Sequence, residues 1–364
     1  MFIMNTEIKC LPVTVKRAIE LVGLFILGTI IVTGSTIIMP LLMAFFFSLV
    51  LLSVFRFFRK LKFPEAIAVM LPILLLTIVL ALIIWLFSSQ VGALIADFPQ
   101  IQRTVTKHFD NLSIWISNSF GYSPAEQLKF INTQSKKLFS SLGGLLSGAV
   151  GSLSGIVIFI GLLPIYIYLI LLYRNLFLKF VLMWFKKDEY QNVEEAIRQT
   201  EKMVKSYLVG LLIQITYIIV LLAGSLWVFG IQNALLIGII FAFLNLIPYL
   251  GALTGNILGI LLTLASSESI TDVLIVLAAI TFVQLLDNNI LMPRIVWSQI
   301  KINPLVSIVG IIVAGTMAGI SGMFLAMPVL SLLKIVFDHT ERYKQWGVLL
   351  GDDRPSKNRL NVLK

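Results

Sequence analysis

The sequence predicts an all-α polytopic membrane protein with about eight membrane segments, namely six full spans plus two re-entrant helical hairpins. Composition is the first reason: of 364 residues, 58% are hydrophobic and only 13% charged, with a mean hydropathy of +0.97, which is outside the range of soluble globular chains. The second is a series of apolar stretches long enough to cross a hydrocarbon core. The third is a pair of longer uncharged runs, 231–265 and 304–336, each interrupted near its middle by a polar turn rich in Gly or Pro. A straight helix needs about 20 residues to cross a core of roughly 30 Å, so these two runs must fold back.

Taken in order, the first three spans are expected at 19–38, 39–55 and 66–87, in a unit covering 1–87. Lys16-Arg17 before an apolar stretch resembles a signal peptide, but no small-residue cleavage site follows, so the stretch reads as an uncleaved first span. Pro40 is expected to mark the connection between the first two spans, because proline cannot continue the helical hydrogen-bond ladder without a kink. Pro72 and Pro164 fall inside spans and predict kinks there.

Segment 88–147 is the sizeable external piece, with Ile101, Val105, Phe109, Leu112 and Ile116 at helical spacing. Such an amphipathic helix suits a membrane surface, a neighbouring subunit or a cap on its own membrane domain. The fourth span, 149–172, and a charged cytoplasmic helix with Glu194/Arg198 and Glu201/Lys205 at i,i+4 spacing make up 148–206. A transport core, 207–336, contains spans 207–229 and 272–291 and the two broken runs. The polar tail, 337–364, includes Asp352-Asp353-Arg354-Pro355 and is expected to be disordered after Tyr343.

Charge placement bears on whether the broken runs cross. If both fold back, 23 of the 28 Lys and Arg residues lie in loops on the side of the N-terminus. Crossing would move Arg294 and Lys301 to the opposite side and bring a loop without basic residues inside. The positive-inside rule thus favours hairpins and puts both termini in the cytoplasm. The net charge of +10 is spread over loops between apolar runs, which argues against a nucleic-acid partner. The single cysteine, Cys10, excludes an intrachain disulfide.

The first break is Asn245-Leu246-Ile247-Pro248-Tyr249-Leu250-Gly251 and the second runs from Gly315 to Gly322. Broken, paired hydrophobic segments are the best sequence pointer to a transporter's binding site. Gly251, Gly255 and Gly259 repeat at every fourth position, as do Gly315 and Gly319, a spacing that lets short helical arms approach closely. Gly322, Pro304 and Pro328 complete the expected turn and packing positions.

Asp287 is the carboxylate that lies well within an apolar segment, and an ionisable group at membrane depth is a functional hypothesis by default. The alternative is an interfacial residue satisfying a helix end. Arg294, seven residues on and beyond Pro293, is its nearest basic neighbour in sequence. Asn245, Gln284, Asn288 and Asn289 can donate and accept without net charge, and could equally bind a hydroxyl-rich solute or hold helices together. Gln214 ranks below them because its sequence neighbours are apolar. Enzyme readings fare poorly: His108 and His339 lie outside the spans, H-E-x-x-H and G-x-x-x-x-G-K-[ST] are absent, and no second intramembrane carboxylate accompanies Asp287. No catalytic residue, metal site or cofactor is expected.

Four blocks in order, N-L-I-P-Y-L-G at 245–251, Q-L-L-D-N-N-I-L-M-P-R-I at 284–295, N-P-L-V at 303–306 and G-I-S-G-M-F-L-A-M-P at 319–328, resemble the autoinducer-2 exporter family of bacterial membrane transporters. P-I-Y-I-Y-L-I-L-L-Y-R at 164–174 looks like that family's fourth span. The resemblance implies an inner-membrane protein assembled as a homo-oligomer, a pentamer by family likeness. Its partners would be the lipid bilayer, a small polar solute, and a proton or sodium ion. It implies either export of such a solute or sodium(lithium)/proton antiport; a non-transporting oligomeric scaffold is a third reading. Two departures stand out. Asn303 replaces a histidine that many relatives carry before the proline, and Ala252 replaces a proline common after the glycine of the first break.

Overall fold

In the computed structural model, which describes residues 12–120, 153–247, 250–267, 269–292 and 302–352, the extended elements are helices, joined at one point by an isolated bridge between Ile302 and Gly351. Helix α1 spans Val13–Thr33 and α2 Ser35–Lys60. The break between them falls at Gly34, where a Cβ would meet the Ile30 carbonyl at 2.9 Å. Pro40 is not the connection: it is the sixth residue of α2, past the first turn, and the helix carries it at the loss of one ladder bond.

Helix α3, Glu65–Phe120, is one continuous element of 56 residues. At 1.5 Å per residue it is roughly 84 Å long, of which only Glu65–Leu86 has the composition of a span. The remainder lacks that composition, so the expected span at 66–87 and the start of the expected external segment share one helix. Its Phe98 packs back against the helices around the first broken run. Residues 121–147 of the expected external segment lie outside the described residues.

Helices α4, Leu153–Leu172, and α5, Arg174–Leu182, follow. Helix α6, Tyr190–Ile218, passes through a π-helical turn, Ile219–Ala223, into α7, Gly224–Val228. The first broken run forms α8, Ala234–Leu244, and α9, Leu250–Ser266. Helix α10, Ile270–Leu286, ends in a second π-helical turn, Asp287–Leu291. The second broken run is α11, Pro304–Asp338, and α12 covers Lys344–Leu350. Among the described residues, five helical stretches, α11 among them, have the length and apolar composition to cross a membrane, or six if the bent pair α4 and α5 counts as one span.

Both broken runs fold back on themselves. In the first, a Cβ at Gly255 would come within 2.5 Å of Phe241 Cδ2 and one at Gly259 within 3.7 Å of Ile237 Cγ2, so the two arms run antiparallel. In the second, Gly310 faces Leu330 and Gly315 faces Met323 across the arms. Twenty residues of straight helix would hold Gly310 and Leu330 about 30 Å apart. The reversal is at Ala318 and Gly319, and Gly319 has φ 60° and ψ −143°, a region essentially reserved for glycine. Gly319 therefore makes the turn, whereas a Cβ there would touch nothing within 4 Å; the expected packing role falls to Gly310 and Gly315.

Apolar burial groups the helices into three clusters. The first joins Ile218, Leu222 and Leu226 with Ile237 and Phe241 of the first hairpin and Val276 and Ile280 of α10. The second joins Phe46, Met203 and Leu211 with Ile311 and Leu325 of the second hairpin. The third packs α2, α3 and α4 through Phe55, Val69 and Ile167. Helix α6 contributes to the first two, and so positions the hairpins relative to each other.

The segment after Tyr343, expected to be disordered, is helical over Lys344–Leu350 and docks on α11. Gly347 allows contact with Asp338, and Asn303 donates its backbone N–H to the Leu350 carbonyl at 2.9 Å. The close approach at Gly347 and this backbone pairing hold a stretch that composition alone reads as polar.

Candidate functional site

The site lies where α6, the turn of the first hairpin and the end of α10 converge. Helix α6 enters this region with Gln214 and Tyr217 on one face, because residues three apart share a face. Asn245 ends α8 as its C-cap, at the tip of the first arm. Asp287 opens the π-helical turn after α10; an extra residue per turn re-aims side chains, and such turns are frequent at functional sites.

These four side chains meet. Gln214 Nε2 and Asn245 Nδ2 both donate to Asp287 Oδ2 at 2.9 Å, and the Tyr217 hydroxyl donates to Asp287 Oδ1. Asp287 is 1% exposed, Gln214 2% and Asn245 6%. A carboxylate so enclosed is bonded by side chains of other elements as well as standing at the end of α10. Its charge is shared among three neutral donors, and among the described residues no Lys or Arg lies within ion-pair distance of it. Gln214 Oε1 is buried without a hydrogen-bond partner, so the clasp also carries an oxygen free to bind a cation or a hydroxyl.

The structure divides the residues expected to line a pathway. Asn245 joins Asp287, whereas Gln284 pairs with Asn288 at 3.3 Å and Asn289 bonds the Leu285 carbonyl at 2.9 Å. Asn288 and Asn289 are exposed and Gln284 is half-buried with its own Oε1 unpaired. Pro248, Tyr249, Pro293 and Arg294 lie outside the described residues. Gly251 packs against Leu244 across the turn, Gly322 against Ala314, and Pro328 is buried in the second arm. Pro304 starts α11 behind Asn303, whose side chain accepts from the Leu305 N–H at 2.9 Å.

Two clasp residues escape sequence reasoning. Gln214 has only apolar neighbours in sequence, yet its partner is 73 positions away. Tyr217 carries no polar signal by itself. The spacing of Gln214 and Tyr217 on one face of an otherwise apolar run was the available sign.

The sequence profile of the AI-2E family transporter matches residues 21–342. The chain belongs to that family, a bacterial transporter family of multi-pass membrane proteins. Its AI-2E relatives include YueF of Bacillus subtilis, 24% identical over 332 residues and 86% of each chain, and YhhT of Escherichia coli K12, 24% identical over 346 residues and about 95% of each. YrrI of Bacillus subtilis is 32% identical over 148 residues, 41% of each chain. All three are named as candidate transport proteins. The match takes in α6, both hairpins and the Asp287 turn.

Proposed function

We propose that this AI-2E family protein is a secondary transporter that moves a small polar solute out of the cell, with the Asp287 clasp as its coupling site. One observation carries the reading: a buried carboxylate is bonded by three neutral donors from two other elements, one of them the tip of a helical hairpin. Non-helical backbone at membrane depth is tolerated only inside protein or beside a water-filled cavity. The two hairpins, read as re-entrant, bring such backbone to the midplane, where transporters of several folds bind substrate. Asn245 and Tyr249 at the first turn and Asn288 beyond Asp287 contact solute, and Asp287 exchanges a proton or sodium ion. The termini are cytoplasmic, the membrane is the bacterial inner membrane, and the working unit is a homo-oligomer.

A second reading, sodium(lithium)/proton antiport, is favoured by the unpaired Gln214 Oε1 beside Asp287, since hard cations are held by several oxygen ligands. Proteoliposomes carrying an imposed proton gradient distinguish the two. If sodium alone dissipates the gradient, antiport is supported; if dissipation requires an organic solute, coupled export is. Coupling that is unchanged by Asp287→Asn would remove Asp287 from both readings.

A further inference from the structure

Helix α5 is an apolar helix that none of the described residues buries. It leaves the axis of α4 with a bend of 63°, and none of its residues is buried. Leu176 is 60% exposed, Phe180 58% and, just past its end, Trp184 73%. At four-residue spacing these three stack along one side of the helix. A span lies within about 20° of the membrane normal on average, so a helix bent this far from it lies nearer the membrane plane than the normal.

Charge gives this helix a polarity. From Arg174 to Lys187 the chain has four basic residues and no acidic one. Arg174 is an anchor: its guanidinium lies 4.5 Å from the centroid of the Phe55 ring and bonds Glu65 Oε1 at 3.1 Å. That ion pair cancels the Glu65 charge and holds the start of α5 level with the loop between α2 and α3. The last turn of α2 and the loop after it add Arg59, Lys60 and Lys62, Arg59 donating to the Phe63 carbonyl at 2.9 Å. Lys179, Lys186 and Lys187 are exposed on the other side of Arg174. Asp188 and Glu189 close the stretch, and Glu189 Oε2 is occupied by the Lys186 backbone N–H at 3.0 Å.

We propose that α5 is an interfacial helix embedded in the leaflet on its basic side, and that with the 59–62 loop it forms a docking surface for anionic phospholipid headgroups. Aromatic side chains beside a row of lysines match a bilayer whose surface is negative, with rings at headgroup depth and ammonium groups on the phosphates. A second copy pairing two-fold through this same face would bring like charge to the contact, which disfavours that arrangement. The helix would thereby fix the depth of α4 and the level of the adjoining loop.

The full chain tests this in liposomes, with Cys10→Ser and Met183→Cys carrying an environment-sensitive fluorophore and Gln191→Cys as the exposed reference. At position 183 iodide should quench at least threefold less than at 191. A shallow nitroxide on phosphatidylglycerol should quench it more than the same nitroxide on phosphatidylcholine. Replacing Lys179, Lys186 and Lys187 by Gln should erase that preference, each lysine accounting for roughly a fivefold bias towards anionic lipid, and high salt should weaken it. Equal iodide quenching at 183 and 191 would overturn the interfacial placement. Equal quenching by the two lipids would overturn the anionic preference, and loss of protection on diluting the protein in lipid would give the face to a second copy.

Discussion

Substituting Asp287 by Asn and by Ala should separate the charge of the clasp from its hydrogen bonds. In the native arrangement Oδ2 accepts from Gln214 and Asn245, and Oδ1 from Tyr217. Asn fits the same shape: its Oδ1 takes the position that accepts two amides, and its Nδ2 faces a tyrosine hydroxyl, which can turn and accept. The bonds become neutral, from about 1.5–3 to about 0.5–1.5 kcal/mol each, but desolvation of the carboxylate is relieved in return. Asp287→Asn should therefore cost no more than about 2 kcal/mol while removing the ionisable group. Asp287→Ala leaves three donors without acceptors, at about 1–3 kcal/mol each, so its destabilisation should be several-fold larger. Thermal or denaturant unfolding of the purified protein in detergent measures both, and proteoliposome flux measures coupling. The Tyr217→Phe cycle sharpens the test: in the native background it strips a donor from a buried charge and in the Asn background from a neutral amide, so the double variant should lose less than the two single losses together. Equal destabilisation by Asn and Ala, or additive behaviour with Tyr217→Phe, would refute this account of the clasp.

Gly319→Ala should destabilise by about 1–3 kcal/mol, because φ 60° and ψ −143° is a backbone conformation that side chains disfavour; unfolding measurements check it, and an unchanged midpoint would argue against the reversal. Gly255→Ala should cost about 1–3 kcal/mol by overpacking against Phe241, and combining it with Phe241→Leu should recover part of the loss in the same assay. Asn303→Ala removes the N-cap of the second hairpin and should cost about 1 kcal/mol, while hydrogen exchange at Leu305 should rise. Ending the chain before Lys344 should raise exchange at the Asn303 amide, whose acceptor is the Leu350 carbonyl.

Much of the fold is legible in the sequence because its signals are local. Run length and the polar break at Asn245 suffice to expect the first fold-back, and Ala318-Gly319 falls inside the expected second break. The clasp is only half legible for the opposite reason. Asp287 and Asn245 are visible as polar residues at membrane depth, but Gln214 acquires meaning only when α6 is packed against α10. Pro40 is carried inside α2, past its first turn, while the break falls at Gly34, where the chain leaves helical geometry (φ −93°, ψ 10°). The C-terminal helix was hidden by composition: its docking rests on a contact at Gly347 and a backbone bond to Asn303, neither of which has a sequence signature.

The position of Asn245 links the clasp to motion. Ile240, Phe241 and Ala242, just before it, are buried in the first cluster, while Leu246 and Ile247, just after it, pack against the second. The turn therefore spans the seam between two apolar bodies, and the Asn245 to Asp287 bond crosses from the hairpin tip to the end of α10. In the transport cycle proposed above, a proton or cation arriving at Asp287 competes with the Gln214 and Asn245 amides for Oδ2. Weakening the Asn245 bond releases the tip from α10 without disturbing the apolar packing of either arm. Both π-helical turns adjoin this point, one beginning two residues after Tyr217 and the other at Asp287. Each is a place where a helix can shift by a residue at low cost, because its ladder is already irregular. Asn245→Ala should then loosen the seam while leaving Asp287 ionisable, so that ion movement persists but becomes uncoupled from solute. If Asn245→Ala instead abolished ion and solute movement together with no loss of stability, the bond would hold the ion site itself and would not be a latch.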